Sequence, residues 1–352
     1  MNAAIKSISY FLPPGELGHG ELAARFGEAA MEKIERASGI LTRRIADSST
    51  CASDLAFSAA ELLFQNSPVG RGDVGLLVMA TQSPDYLLPT TACILQDRLG
   101  LPQSCAAFDV NLGCSQYVYG AAVASAWIRS KMAENVLLLT ADTPSRTINP
   151  RDRSAVTLFG DGASATLFSA SESGGLLDFV FGTDGSSHGD LILPCSGFRH
   201  PPAPEDFVEH DDGTGCVRAN RDLYINGFRI FAFAYRAAFE SVSALLKRNS
   251  LSVGDVGLFV FHQAGEKIVR AVAERLGVPD SKLHFKMRDI GNCGGSSVGV
   301  ALADAALSGK LEPGMKVVLC AFGVGLSWGA ALLEWTGDFC GAFTAESECP
   351  AK

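Results

Sequence analysis

Short apolar runs bounded by turn residues recur along the chain, and between them lie stretches whose apolar positions return every three or four residues. Val74 to Ala80 (VGLLVMA) and Val136 to Thr140 (VLLLT) carry no polar face, which predicts strands buried on both sides. Each follows a helix-like stretch, Asp54 to Phe64 and Gln116 to Lys131. The second half repeats the rhythm with Gly257 to Phe261, a helix over Lys267 to Leu276, and Lys316 to Cys320, all after an amphipathic helix over Phe228 to Lys247. This alternation predicts an α/β protein built from βαβ units, with helices covering the sheets. His200 to Thr214 is rich in Pro and acid and has no period, so it predicts a surface loop, and the tail after Trp335 shows no periodicity.

The repetition extends to particular residues. Asp109-Val-Asn-Leu-Gly-Cys-Ser leads into an Ala-rich helix and then VLLLTAD, while Asp289-Ile-Gly-Asn-Cys-Gly-Gly-Ser-Ser leads into another and then VVLCAFG. The distance from Asp109 to Val136 is 27 residues and that from Asp289 to Val317 is 28. Matched spacing of this kind predicts two copies of one supersecondary unit, duplicated βαβαβ halves over 1–170 and 171–352.

Composition narrows the function classes. A chain of 352 residues that is 47% hydrophobic and 19% charged has ample material for a large core. A net charge of -9 gives no basic footprint for nucleic acid or an anionic membrane surface, so an acidic partner would need a local basic patch. The opening stretch carries Lys6 and then Pro13-Pro14, unlike a secretory signal, and no run approaches the about 20 apolar residues of a membrane span. The ten cysteines sit mostly in apolar runs, and a chain of this size needs no disulfide framework, which predicts a reducing cytoplasm.

Four features could carry chemistry. Cys114 lies between the short apolar strand Cys105 to Val110 and a helix rich in Ala, Val and Gly. At a helix N-terminus, unpaired backbone N–H groups and the positive end of the dipole favour a thiolate, as in a nucleophile elbow. His262 ends an apolar run, where open α/β sheets place ligand sites. Asn292 stands among glycines that expose its amide. Phe322-Gly-Val-Gly-Leu-Ser-Trp-Gly is a glycine-rich turn able to offer a backbone N–H to an oxyanion. Taken singly, a buried structural thiol fits Cys114 as well, while a helix-capping histidine and a turn asparagine fit His262 and Asn292 better. The glycine turn misses the dinucleotide spacing G-x-G-x-x-G, no Walker-type lysine occurs, no C-x-x-C pair exists, and His262 has no partner at ligand spacing; neither a nucleotide cofactor nor a metal is expected.

Taken together these residues resemble the β-ketoacyl-acyl carrier protein synthase III group of the thiolase superfamily. The likeness runs from about Ile34 to Trp335 through Ser38-Gly-Ile with Arg43-Arg44, Ala52-Ser-Asp-Leu-Ala, Ser83-Pro-Asp-Tyr, Asn111-Leu-Gly-Cys114-Ser, Phe159-Gly-Asp-Gly-Ala, His262-Gln-Ala, Gly291-Asn292 and the terminal glycine turn. The resemblance implies a thiolase-like, five-layered αβαβα sandwich. It also implies an acyltransferase that needs no cofactor and performs a decarboxylative Claisen condensation of an acyl thioester with malonyl-acyl carrier protein or malonyl-CoA. Cys114 would carry the acyl group, the backbone N–H groups of Cys114 and Val324 would form the oxyanion hole, and His262 and Asn292 would hold the enolate. Ala321 stands where non-decarboxylating thiolases place a second cysteine, which favours decarboxylation. Transfer to a hydroxyl, amine or aromatic acceptor without chain extension, and a non-catalytic partner subunit, are the competing readings.

The same resemblance assigns substrate contacts and partners. Arg153 matches a clamp arginine for coenzyme A, but Lys33 and Ala37 replace the usual tryptophan and arginine, and Gly265 replaces the asparagine after His-Gln-Ala. Those departures weaken nucleotide stacking and bring an acyl carrier protein forward as donor beside acyl-CoA. Leu88 would reach across a homodimer axis into the partner's acyl pocket. Gly323 and Gly325 would shape the cleft, and Lys267, with Arg270 and Arg275, would form a basic patch for an acidic carrier protein.

Overall fold

The computed structural model describes residues 2–337 and 339–346. Two sheets dominate it. The first takes β1 (Asn2–Leu12), β2 (Leu76–Ala80), β3 (Ala106–Val110), β4 (Asn135–Asp142) and β5 (Gly162–Ser171), and the second takes β6 (Gly175–Thr183), β7 (Leu258–Phe261), β8 (Lys316–Gly323) and β9 (Ser327–Glu334). A tenth strand, β10 (Gly341–Glu346), pairs parallel with β1 and so returns to the first sheet. The aperiodic tail therefore supplies an edge strand, which its short, Gly-broken sequence does not announce.

The strand orders are β10-β1-β5-β4-β2-β3 and β7-β8-β9-β6. Within them β2-β4-β5-β1 and β7-β8-β9-β6 run the same course: one parallel pair, then two antiparallel ones. The duplication expected from residue spacing is thus repeated in topology, with β3 and β10 as additional edges of the first sheet.

Six helices complete the layers: α1 (Ala52–Asn66), α2 (Thr91–Arg98), α3 (Gln116–Arg129), α4 (Gly227–Arg248), α5 (Glu266–Leu276) and α6 (Ser297–Leu307). Strand β4 shows why the stack has five layers. Its Val136 and Leu138 enter a core shared with α3, α6 and the second sheet, while Leu137 and Leu139 enter another core under α1 and α2. A strand with alternate residues in two cores must be apolar at every position, as its sequence is. Strand β8 repeats this, with Val317 and Leu319 facing the central helices and Val318 and Cys320 facing α4 and α5. Each fully buried leucine contributes about 2 kcal/mol of transfer free energy, so these two strands anchor the sandwich. The five-layered αβαβα architecture is therefore the observed one.

The loop expected over 200–214 is mostly irregular, with one helical turn at Pro204–Phe207 and a short strand at His210–Asp211. Among the described residues no helix is long and apolar enough to cross a membrane.

Candidate active site

Cys114, His262 and Asn292 each stand next to the end of a strand or the start of a helical segment. Cys114 lies two residues before the first residue of α3, and Gln116 N–H donates to the Gly113 carbonyl at 2.8 Å, closing the turn that lifts the thiol. Gly323, the last residue of β8, packs directly on that thiol, since a Cβ placed there would lie 2.7 Å from Cys114 Sγ. The next residue, Val324, directs its backbone N–H at the same sulfur. Ser115 and Ser327 share a buried hydroxyl hydrogen bond of 2.7 Å, which fixes the helix start against the glycine turn.

His262 follows the last residue of β7, and its N–H donates to the Cys320 carbonyl of β8 at 2.8 Å. His262 and Val324 thus leave the carboxyl ends of adjacent parallel strands, the crevice where α/β sheets bind ligands. The imidazole stands edge-on to Phe322, with ring centroids 5.6 Å apart. Its Nδ1 meets Ser297 Oγ at 2.6 Å, and Ser297 Oγ also accepts from Gln263 N–H. The Ser297 hydroxyl proton then points to Nδ1, which leaves Nε2–H as a donor into the cleft.

Asn292 is held by its backbone against the segment just before β5: its N–H donates to Leu158 O at 2.9 Å, and its carbonyl accepts from Gly160 N–H at 3.0 Å. Its Oδ1 accepts from Gly294 N–H at 3.1 Å, so the amide NH2 is the group free to donate. Asp142, ending β4, joins this turn to Cys114. Its Oδ2 accepts from Gly295 N–H at 2.9 Å and from Gln116 Nε2 at 3.0 Å, and its Oδ1 accepts from Gln82 N–H at 2.8 Å.

Electrostatics set the resting state. Cys114 is only 9% exposed, His262 2% and Asn292 4%. Burial, joined by the Asp142 charge, pushes the Cys114 thiol up to about 12 against the lowering pull of the Val324 and Cys114 backbone N–H groups. The thiolate expected from the helix terminus is therefore not the resting form, because removing sulfur from water outweighs two backbone donors. Burial lowers His262 to about 3, so its imidazole is neutral, and burial raises Asp142 to about 6.

The remaining sequence candidates lie apart from this cluster or play other parts. Arg153 donates to Thr214 O, which spends its guanidinium on the 193–222 loop. Lys33 and Ala37 are exposed on the helix Glu28–Ser38. Gly265 precedes α5 at φ +151°, a conformation that an asparagine or any other L side chain would adopt only with strain. Gly325 is exposed in the turn after Val324. Lys267 is exposed, but Arg270 is held by Glu266 and Asp280, and Arg275 lies over Tyr235 and Phe239, so the basic patch is narrower than the sequence suggests. Leu88 is 85% exposed in a loop with Tyr86 and Leu87. A cavity of about 1110 Å3 lies beside Phe159, but its lining includes none of Cys114, His262 and Asn292.

Sequence reasoning passed over Ser297, Asp142 and Gln116. No spacing rule links Ser297 to a histidine 35 residues earlier, and Asp142 reads only as the end of a strand.

Comparison with known proteins gives the family. Residues 108–185 match the family model for 3-oxoacyl-[acyl-carrier-protein (ACP)] synthase III, and 246–335 match the model for its C-terminal part. The chain is 33% identical over 335 residues to the β-ketoacyl-[acyl-carrier-protein] synthase III of Caldanaerobacter subterraneus subsp. tengcongensis, covering 95% of this chain and 98% of that one. Among solved structures, a 3-oxoacyl-(acyl-carrier-protein) synthase III is 40% identical with a TM-score of 0.93, covering 95% of this chain and 100% of the other. A 3-oxoacyl-(acyl-carrier protein) synthase from Burkholderia xenovorans LB400 is 30% identical with a TM-score of 0.91, covering 99% and 97%. The chain belongs to the β-ketoacyl-[acyl-carrier-protein] synthase III family.

Proposed function

We propose that this enzyme joins an acyl thioester to a malonyl thioester by decarboxylative Claisen condensation, in fatty-acid or related lipid or polyketide synthesis, with Cys114 as the acyl carrier. The observation that carries the residue assignment is that both buried helpers have their acceptor atoms engaged, His262 Nδ1 by Ser297 and Asn292 Oδ1 by Gly294 N–H. What remains is a pair of neutral hydrogen-bond donors, the requirement for holding an enolate.

In the first half-reaction the Cys114 sulfur attacks the donor thioester carbonyl. The C–S bond to the donor breaks, and the thiol proton ends on the departing sulfur. The oxyanion of the tetrahedral intermediate accepts from the N–H groups of Cys114 and Val324, the two groups that already face the sulfur. In the second, the malonyl C–C bond breaks to release carbon dioxide, and the enolate oxygen accepts from His262 Nε2–H and the Asn292 amide. The enolate carbon bonds to the acyl carbonyl, and Cys114 leaves and regains a proton from solvent. A neutral His262 suits this role, because an imidazolium would bind the malonyl carboxylate and oppose its loss.

The chemistry touches only the thioester, so acyl-CoA and acyl carrier protein both serve as donors. The exposed Lys33 and Ala37 favour the carrier protein, since they offer an adenine ring neither a stacking face nor a fork of donors. Neither half-reaction requires a metal or redox cofactor. The enzyme works as a cytoplasmic homodimer: edge strand β3 has a strand partner on one side only, and Tyr86, Leu87 and Leu88 are exposed for a second copy.

Intact mass measurement after incubation with a panel of acyl-CoA and acyl carrier protein thioesters tests the assignment. A single acyl adduct is expected on the wild type and none on Cys114→Ala; an adduct that persists in the variant overturns it. Release of carbon dioxide from malonyl thioester separates condensation from transfer to a hydroxyl, amine or aromatic acceptor.

A further inference from the structure

The loop between Ile192 and Tyr224 folds three metal-ligand side chains onto one another, none of them among the residues assigned to the condensation. Cys195 Sγ, a ring nitrogen of His200 and a carboxylate oxygen of Asp206 all lie within 4.8 Å of one another. We propose that Cys195, His200 and Asp206 bind a divalent cation of the zinc type, which staples this loop and takes no part in the condensation.

The donor set selects the ion. A thiolate and an imidazole disfavour magnesium and calcium, which take oxygen ligands, and one sulfur, one nitrogen and one oxygen suit zinc. Charge also balances. The Cys195 thiol gives its proton to solvent on coordination, Asp206 is already an anion, His200 binds neutral, and two negative ligands cancel the doubly charged ion.

Distances are close to those required. Ligands bound tetrahedrally about 2.0–2.3 Å from zinc stand about 3.3–3.8 Å apart. His200 Nε2 and Asp206 Oδ2 already lie 3.1 Å apart, so a shift of side chains within the loop suffices. The two anionic ligands are buried, which gives the cation poor competition from water, while His200 is 47% exposed and leaves an entry path with room for a water as fourth ligand.

The supporting groups are also present. Asp206 Oδ1 accepts from Asn220 Nδ2 at 3.0 Å and its Oδ2 from Ala203 N–H at 3.0 Å, while Cys195 N–H donates to the Asn220 carbonyl at 3.0 Å. These bonds fix two of the three ligands before any ion arrives, as outer partners of metal sites do. The expectation of no metal rested on the missing C-x-x-C pair and on His262. The present residues follow neither pattern, being five and six positions apart in a loop.

An ion here would brace the segment that also holds Arg153 through Thr214. The competing state is a plain hydrogen-bonded cluster in which Asp206 accepts from its neighbours without an ion.

The test uses the full-length protein stripped with chelator and then titrated with cobalt(II), whose bond to a thiolate gives a near-ultraviolet charge-transfer band. Wild type and Cys114→Ala are expected to develop the band with a single ion per chain, and zinc to abolish it by displacement. Cys195→Ser should lose the band, and His200→Ala, altered at a half-exposed side chain that leaves folding intact, should bind zinc about 100-fold more weakly or worse. The proposal is overturned if wild type shows no band, or if the band persists unchanged in Cys195→Ser. Acylation of Cys114 is scored separately by mass, so failure of the metal site and failure of the condensation reading are distinguishable.

Discussion

Burial holds His262 uncharged, and the sign of its effect on stability follows directly. Its folded value of about 3 lies below the ordinary 6.5, so between those limits the unfolded chain takes up a proton that the native imidazole refuses. Native stability contributed by the neutral ring is therefore complete above about pH 6.5 and falls as pH drops toward 3, by an amount on the order of a few kcal/mol. Asp142 and Asp161 act oppositely: both are raised to about 6 from 3.8, so in that window the native state holds protons that the unfolded chain has released. Those carboxyls are common to wild type and His262→Asn, and they cancel in the comparison. Urea denaturation at successive pH values should show His262→Asn losing less stability than wild type between pH 6.5 and 4; parallel curves would refute a neutral buried imidazole. Ser297 makes a second test at this scale. Ser297→Ala frees Nδ1 to carry the proton, so condensation should slow by about tenfold, the equivalent of one neutral hydrogen bond, while acylation of Cys114 stays near wild type. Cys114, His262 and Asn292 were each legible as candidates, because nucleophile, imidazole and amide stand at element ends. The protonation of Cys114 was not, since burial by another part of the chain outweighs its helix terminus.

At the scale of elements, the end of β8 matters most. It delivers Gly323 against the sulfur and directs Val324 N–H at the same sulfur, while its neighbour β7 delivers His262. A methyl on Gly323 would stand 2.7 Å from Cys114 Sγ, so Gly323→Ala must push the thiol out of line with Val324 N–H. Acylation measured by adduct formation should fall by about 10²-fold or more, comparable to losing an oxyanion donor. Unchanged acylation would show that the turn yields freely. Strands β2, β4, β7 and β8 were readable because continuous apolar runs have one explanation in a chain this long, burial on both faces. Strands β1 and β10 were not read. β1 interrupts its apolar residues with Lys6, Ser7 and Ser9, and β10 is a short edge whose partner lies over 300 residues earlier.

For the whole molecule, two sheets of matching strand order enclose α3 and α6, the helices that follow Cys114 and Asn292. Duplication thereby sets the two equivalent helix starts near one another, and each half supplies what the other lacks. Exposed Tyr86, Leu87 and Leu88 and the singly paired edge β3 are the surface proposed for the second copy. Leu88→Asp should shift the mass measured by light scattering from two chains to one; a mass unmoved by this charge would place the dimer contact elsewhere. Hydrophobic period and the repeated Asp-to-Val spacing by themselves determined the α/β class and the internal repeat, because these depend on residues near one another in the chain, while the kind of chemistry came from the resemblance of the ordered motifs to a known family. Only the tertiary structure decided which atoms of His262 and Asn292 remain free to donate, that Asp142 ties Gln116 to Gly295, and that Arg270 and Arg275 are already engaged. Those outcomes turn on desolvation and on contacts between residues far apart in sequence, and neither leaves a local mark that period or spacing can register.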